Sequence, residues 1–135
     1  MKEFILAQDE LDKLCVLIPN EAIVLLSGDL ASGKTSLVKA IAKQKGVKQD
    51  INSPTFSIMQ SYEAKECKIY HYDIYQNGIK AILQNGLFEN FFEKALHLVE
   101  WGDEILQQRL KLFDLHSIVI KIDFFNDKRK YEFYE

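Results

Sequence analysis

The stretch "SGDLASGKTS", residues 27–36, decides how the chain is read. Gly28 and Gly33 stand five apart, and Lys34 and Thr35 follow the second glycine, so every fixed position of G-x-x-x-x-G-K-[ST] is filled. The context agrees with the motif. Before it, "AIVLLSG" (22–28) is a short apolar run of the kind a buried strand makes. After it, "GKTSLVKAIAKQK" (33–45) has helical spacing, with Leu37, Val38 and Ile41 on one side, Lys39, Lys43 and Lys45 mostly on others, and Gly46 as a stop. A strand running into a glycine loop that opens a helix is the setting in which this motif cradles phosphates. Glycines let backbone N–H groups turn inward, and the helix N-terminus adds positive partial charge at the same place. Gly28, Asp29, Leu30, Ala31, Ser32, Gly33, Lys34, Thr35 and Ser36 are therefore the nucleotide-binding candidates. Lys34 is placed to reach the β- and γ-phosphates, and Thr35 to offer its hydroxyl to Mg²⁺.

The base is read from what is missing. A regulatory GTPase carries N-K-x-D for guanine and D-x-x-G for its second switch, and neither occurs in this chain. ATP is the expected nucleotide. A small-molecule kinase on the same loop usually clamps its second substrate with several arginines, because bidentate forks suit phosphates. Here there are two, Arg109 and Arg129, both far from the motif in sequence. Arg109, in "QQRL", reads as a solvated helix charge.

Further out, the pattern is that of one α/β unit. "QDELDKLCVLI" (8–18) has Leu11, Leu14, Cys15 and Ile18 at helical spacing, with Pro19 after it. "FSIMQSYEA" and "CKIYHYDIY" read as two strands joined by a charged turn. "AILQNGLFENFFEKA" holds helical pieces broken at Gly86, "LHLVEW" (96–101) is a strand, and "GDEILQQRL" a short helix. "HSIVIKIDFF" and "KYEFYE" flank "NDKR" as a final hairpin. Strands alternate with helices through the first two-thirds, which predicts a single P-loop NTPase domain over residues 1–135, a three-layer α/β sandwich with a mixed central sheet.

Composition bounds the function. At 47% hydrophobic and 27% charged, 135 residues make an ordinary globular chain. No apolar run approaches the roughly 20 residues of a membrane span. The opening "MKEFILAQDE" lacks a signal-like apolar region, so a cytoplasmic protein is expected, with no membrane partner. Cys15 and Cys67 lie outside any C-x-x-C pair and read as buried or idle thiols. A net charge of −3 argues against strong autonomous nucleic-acid binding and leaves room for a partner that carries RNA.

A hydrolysing phosphate-loop protein also needs an acid for Mg²⁺ and a group that places water. Asp73 in "IYHYDIY" and Glu100 at the end of "LHLVE" are the candidates. Periodicity leaves each open between this role and that of a surface acid at a strand end. "NSPTFS" (52–57) presents Thr55 after the stiffening Pro54, and Thr35 and Thr55 are the only threonines. That segment is either a plain turn into a strand or a switch that senses the γ-phosphate.

"GDLASGKTS", "NSPTF", "HYDIY" and "LVEW", in that order and spacing, resemble the TsaE (YjeE) family from about Leu25 to Trp101. The resemblance implies a small ATPase that binds ATP and Mg²⁺ and hydrolyses ATP slowly alone. It implies action with the TsaB–TsaD pair in forming threonylcarbamoyladenosine beside the anticodon of bacterial tRNA, the tRNA being met only through that complex. Carried over by motif, Lys34 is the phosphate lysine and Thr35 the Mg²⁺ hydroxyl. Thr55 is the switch threonine, Asp73 the Walker B-type acid and Glu100 a further acid at the Mg²⁺ and water site, beside the family tryptophan at Trp101. Lys34, Glu100 and Thr55 would then be catalytic, and Thr35, Asp73 and Glu100 would hold metal. Two positions depart from the family pattern. Ala31 stands where a glycine is common, so its backbone is expected in a conformation open to alanine, and Gln76 stands where arginine is usual. The competing readings are a small-molecule kinase and a nucleotide-dependent interaction module with little turnover.

Overall fold

The computed structural model describes residues 1–52 and 58–135. Thr55 and Pro54 lie outside the described residues. The strands are β1 (Lys2–Leu6), β2 (Ala22–Ser27), β3 (Met59–Glu63), β4 (Lys68–Asp73), β5 (Leu96–Glu100), β6 (Ile118–Phe125) and β7 (Lys128–Tyr134). The α-helices are α1 (Asp12–Cys15), α2 (Lys34–Gln44), α3 (Ile79–Gln84) and α4 (Glu104–Leu112), with 3-10 turns at Gln8–Glu10 and Phe88–Phe92. The strands form one mixed sheet in the order β1-β7-β6-β2-β5-β4-β3. β2 runs parallel to both β5 and β6, and β4 parallel to β5, while the outer pairs are antiparallel.

The alternation in β2 builds the three layers. Val24 and Leu26 join Leu37, Val38 and Ile41 of α2 and Leu14 of α1 on one face. Ile23 and Leu25 join Ile82 of α3 and Leu106 and Leu110 of α4 on the other. A strand covered on both faces and paired on both edges has no place for a polar side chain, which is why "AIVLL" is an unbroken apolar run. The expected three-layer sandwich with a mixed sheet is the fold found.

α2 stops as its glycine requires. Gly46 takes φ 96, and Val47 N–H donates to Ala42 O while Gly46 N–H donates to Lys43 O, the paired bonds of a left-handed helix end. α4 starts on Asp103, whose Oδ1 accepts from Leu106 N–H at 2.9 Å. Arg109 is exposed on that helix, as expected of a solvated charge.

Two local readings change, and one strand is added. Residues 8–18 do not form one helix: a 3-10 turn at Gln8–Glu10 precedes the four-residue α1. Glu10 turns back to accept from Ala7 N–H at 2.9 Å, which favours a tight turn over continuous helix. β1, over Lys2–Leu6, has no reading in the sequence because "KEFIL" is too short to show a period, and its stability comes from pairing with β7. The final hairpin turn is also shorter than "NDKR". It closes on Asn126 and Asp127, with Asn126 at φ 54, so Lys128 and Arg129 are strand residues.

Candidate functional site

The C-terminal ends of β2, β4 and β5 converge where α2 begins. In this open α/β sheet the parallel strands deliver their last residues to one edge, and ligands in such sheets bind outside those strand ends. β2 delivers Ser27 into the glycine loop, and the β4–β5 register sets Asp73 directly beside Glu100. A cleft of about 310 Å³ opens there, lined by Leu30, Ala31, Gly33, Lys34, Thr35 and Ser36 from the loop and by Asp73 and Glu100 from the strands. Tyr75 and Trp101 close its side. Gly28 and Asp29 lie behind the loop, on a neighbouring cleft of about 510 Å³ that shares Trp101. Ser32 is fully buried under the loop.

The loop backbone is held in unusual conformations. Gly28 has φ 152 and Gly33 φ 112, both available to glycine. A Cβ on Gly28 would sit 2.5 Å from Ile122 O on β6, so the loop packs too closely there for any side chain. Ala31 has φ 61. The expectation that its backbone stays in a conformation open to alanine is therefore corrected: it occupies the left-handed region, at the cost in strain that a Cβ brings there. Trp101 is left-handed too, with φ 68, directly after β5. Gly102 follows because a Cβ there would meet Leu25 Cβ at 2.8 Å.

Lys34 is nearly buried. Its ammonium donates to Gly28 O at 2.8 Å, to Asp29 O at 2.7 Å and to Ser32 Oγ at 3.3 Å, and it lies 3.8 Å from the centre of the Trp101 ring. Burial lowers its pKa from the ordinary lysine value, against the opposing pull of Glu100, Asp29 and Asp73. An anionic oxygen entering the cleft can take the place of these neutral carbonyls as a better acceptor.

Glu100 is the best-anchored acid. It is buried; its Oε1 accepts from Thr35 Oγ1 at 2.7 Å and its Oε2 pairs with His71 Nε2 at 2.5 Å. His71 is fully buried, and among the described residues its Nδ1 has no hydrogen-bond partner. Asp73 is half-buried and its Oδ1 accepts from Tyr75 N–H at 3.1 Å. Burial raises its pKa above the ordinary carboxylate value, with the Glu100 charge adding in the same direction.

Among the described residues no group of three or more His, Cys, Asp and Glu side chains is arranged to hold a metal ion by itself. Two carboxylates beside a threonine hydroxyl do fit Mg²⁺, which takes few protein oxygens and keeps several waters. The crowding of Asp73 against Glu100 is what a divalent cation would relieve.

The structure thus brings Lys34, Thr35, Asp73 and Glu100 together, leaves Gly28, Asp29 and Ser32 behind the loop, and says nothing of Thr55. Sequence reasoning missed three neighbours. His71 shares the face of β4 with Asp73, and the two-residue period carried that signal. Tyr75 packs against Trp101 with ring centres 4.7 Å apart and planes tilted by 41°. Arg129 donates from Nε to Ser32 O at 3.0 Å, across 97 residues of sequence.

The family profile described as "Threonylcarbamoyl adenosine biosynthesis protein TsaE" matches residues 6–131. The tRNA threonylcarbamoyladenosine biosynthesis protein TsaE of Rickettsia conorii is 39% identical over 109 residues, which are 73% of this chain and 59% of that protein. The protein of the same name from Haemophilus influenzae is 30% identical across 82% of this chain and 68% of its own. The crystal structure of Bacillus subtilis YdiB superposes with a TM-score of 0.67 at 27% identity, over 98% of this chain and 84% of that one. The chain thus spans about 59% of the length of the Rickettsia relative. Matched by the profile along nearly its whole length, and like its relatives in sequence and in fold, the chain belongs to the TsaE family.

Proposed function

We propose that residues 1–135 act as one P-loop ATPase unit, a cytoplasmic subunit that binds ATP, hydrolyses it slowly, and so supports threonylcarbamoyladenosine modification of tRNA at the adenosine beside the anticodon. In this reading it works with TsaB and TsaD and meets tRNA only through them. The relatives named above are threonylcarbamoyladenosine biosynthesis proteins, and the net charge of −3 fits a subunit that leaves the RNA to others. Among the described residues no helix is long and apolar enough to cross a membrane.

The observation that carries the proposal is Lys34, Thr35 and Glu100 lining one cleft, with Thr35 bonded to Glu100 and the buried His71 holding Glu100 from behind. The loop from Gly28 to Ser36 would hold the phosphates through backbone N–H groups, with Lys34 adding its charge. Thr35, Asp73 and Glu100 would hold Mg²⁺, which when bound neutralises charge on the phosphate oxygens. Glu100, fixed from both sides, would orient water toward the cleft. Thr55 would act as the switch threonine. A kinase finds less support, because Arg109 is exposed on α4 and Arg129 is engaged with a loop carbonyl.

Phosphate release with no added acceptor tests the enzyme reading. Slow release by the wild type that Lys34→Ala abolishes is the expected result. ADP formation that requires a small-molecule acceptor and yields no free phosphate would favour the kinase, and equal release by the Lys34→Ala protein would remove the proposed site.

A further inference from the structure

Because β7 begins at Lys128, Arg129 stands on a strand, registered against Phe124 on β6 and Leu6 on β1. Its guanidinium is held three ways. Nε donates to Ser32 O at 3.0 Å, Nη1 donates to Lys128 O at 3.1 Å, and the guanidinium carbon lies 4.5 Å from the centre of the Phe124 ring. The planar fork and the ring face make this a fixed donor.

Its acceptor is informative. The peptide joining Ser32 to Gly33 is planar, so its C=O and N–H point in opposite directions. Pinning Ser32 O on the β7 side therefore sets the direction of Gly33 N–H, and Gly33 lines the cleft. Sterics do not set that direction. A Cβ on Gly33 would meet nothing within 4 Å, and its φ of 112 is one that glycine leaves as readily as it enters. Lys34 ties the loop from within through Gly28 O, Asp29 O and Ser32 Oγ, and Arg129 adds a hold from outside it.

We propose that Arg129 is a positioning residue of the phosphate site: through Ser32 O it presents the Gly33 N–H to a phosphate of a nucleoside di- or triphosphate. This rests on the nucleotide-binding reading above. A merely structural role for Arg129 is a poor fit, because β6 and β7 are joined by seven registered pairs that do not need its side chain.

The test compares wild type, Arg129→Ala and Arg129→Lys with Arg109→Ala, an exposed arginine on α4, as control. ADP affinity is followed by calorimetry and by the fluorescence of Trp101, the only tryptophan, and thermal melting is recorded in parallel. Arg129→Ala should weaken ADP binding about tenfold, the scale of one charge-assisted hydrogen bond, while the melting temperature stays close to wild type. Millimolar ethylguanidinium should restore part of that affinity, Arg129→Lys should lose less than Arg129→Ala, and Arg109→Ala should bind as wild type does. Wild-type ADP affinity in Arg129→Ala would overturn the proposal alone. Affinity that falls only together with the melting temperature, unrescued by ethylguanidinium, would make Arg129 structural and overturn it as well. A wild-type protein that binds no ADP would remove the nucleotide reading and this inference with it.

Discussion

Thr35 and Glu100, one at the start of α2 and the other at the end of β5, share a hydrogen bond of 2.7 Å across 65 residues of sequence. The bond ties the phosphate loop to the buried acid, and His71 holds that acid from its other oxygen. Glu100 is therefore placed before any ligand arrives, which is how a group that acts in the transition state is best held.

Glu100→Gln should lower the rate of ATP hydrolysis by about a hundredfold while changing ADP affinity by less than about fivefold. Gln keeps an acceptor for Thr35, whereas Glu100→Ala takes away the partner of the fully buried His71 and should also cost about 1–3 kcal/mol of stability. Phosphate release, ADP titration and melting together decide. Equal loss of affinity and rate in Glu100→Gln would make this residue structural.

Ala31→Gly should stabilise the fold. A left-handed alanine costs roughly 1–2 kcal/mol, and the extra freedom of glycine in the unfolded chain returns part of that. A gain of about 0.5–1 kcal/mol, or about 2–4 °C in melting temperature, is expected. A lower melting temperature would mean that the Ala31 methyl packs favourably.

Asp73→Asn should raise stability at neutral pH, because burial and the Glu100 charge disfavour the ionised Asp73. The sign is fixed by linkage. The folded pKa lies above the ordinary 3.8, so the ionised form burdens the fold fully above the folded pKa. As pH falls through that pKa toward 3.8, Asp73 protonates and the advantage of the variant disappears. Denaturation midpoints of both proteins followed from neutral to acidic pH check this. An advantage that grows on acidification would contradict it. Hydrolysis should fall in the same variant, the trade expected when a strained acid serves a site.

The centre of this fold was legible because its signals are local. "AIVLLSGDLASGKTSLVKAIAK" carries its strand, loop and helix in one run, and each of the three reports its own period or turn residue. Asp73 and Glu100 could each be placed at a strand end, but their meeting depends on β4 lying beside β5, which sheet order decides and no single strand encodes. The same holds for Arg129 and Ser32, which meet because β6 flanks β2 and β7 follows β6. β1 was illegible because five residues with one buried side chain take their structure from a partner strand. Ala31 shows the converse: local preference argues against φ 61, and the loop around it prevails.

The TsaB–TsaD pair should bind this protein more tightly with a non-hydrolysable ATP analogue than with ADP, and Thr55→Ala should narrow that difference while ADP affinity stays nearly intact. Calorimetry with each nucleotide measures it. Equal affinity in both nucleotide states would remove the switch.

Reconstituted tRNA modification shows whether the modifying complex depends on this protein. TsaB and TsaD, unmodified tRNA and a threonylcarbamoyl donor are incubated with ATP, with and without this protein, and threonylcarbamoyladenosine is quantified in digested tRNA over many turnovers. Wild-type protein should sustain modification, while Lys34→Ala and Glu100→Gln should not. Modification that proceeds equally without the protein, or equally with both variants, would contradict the proposed function.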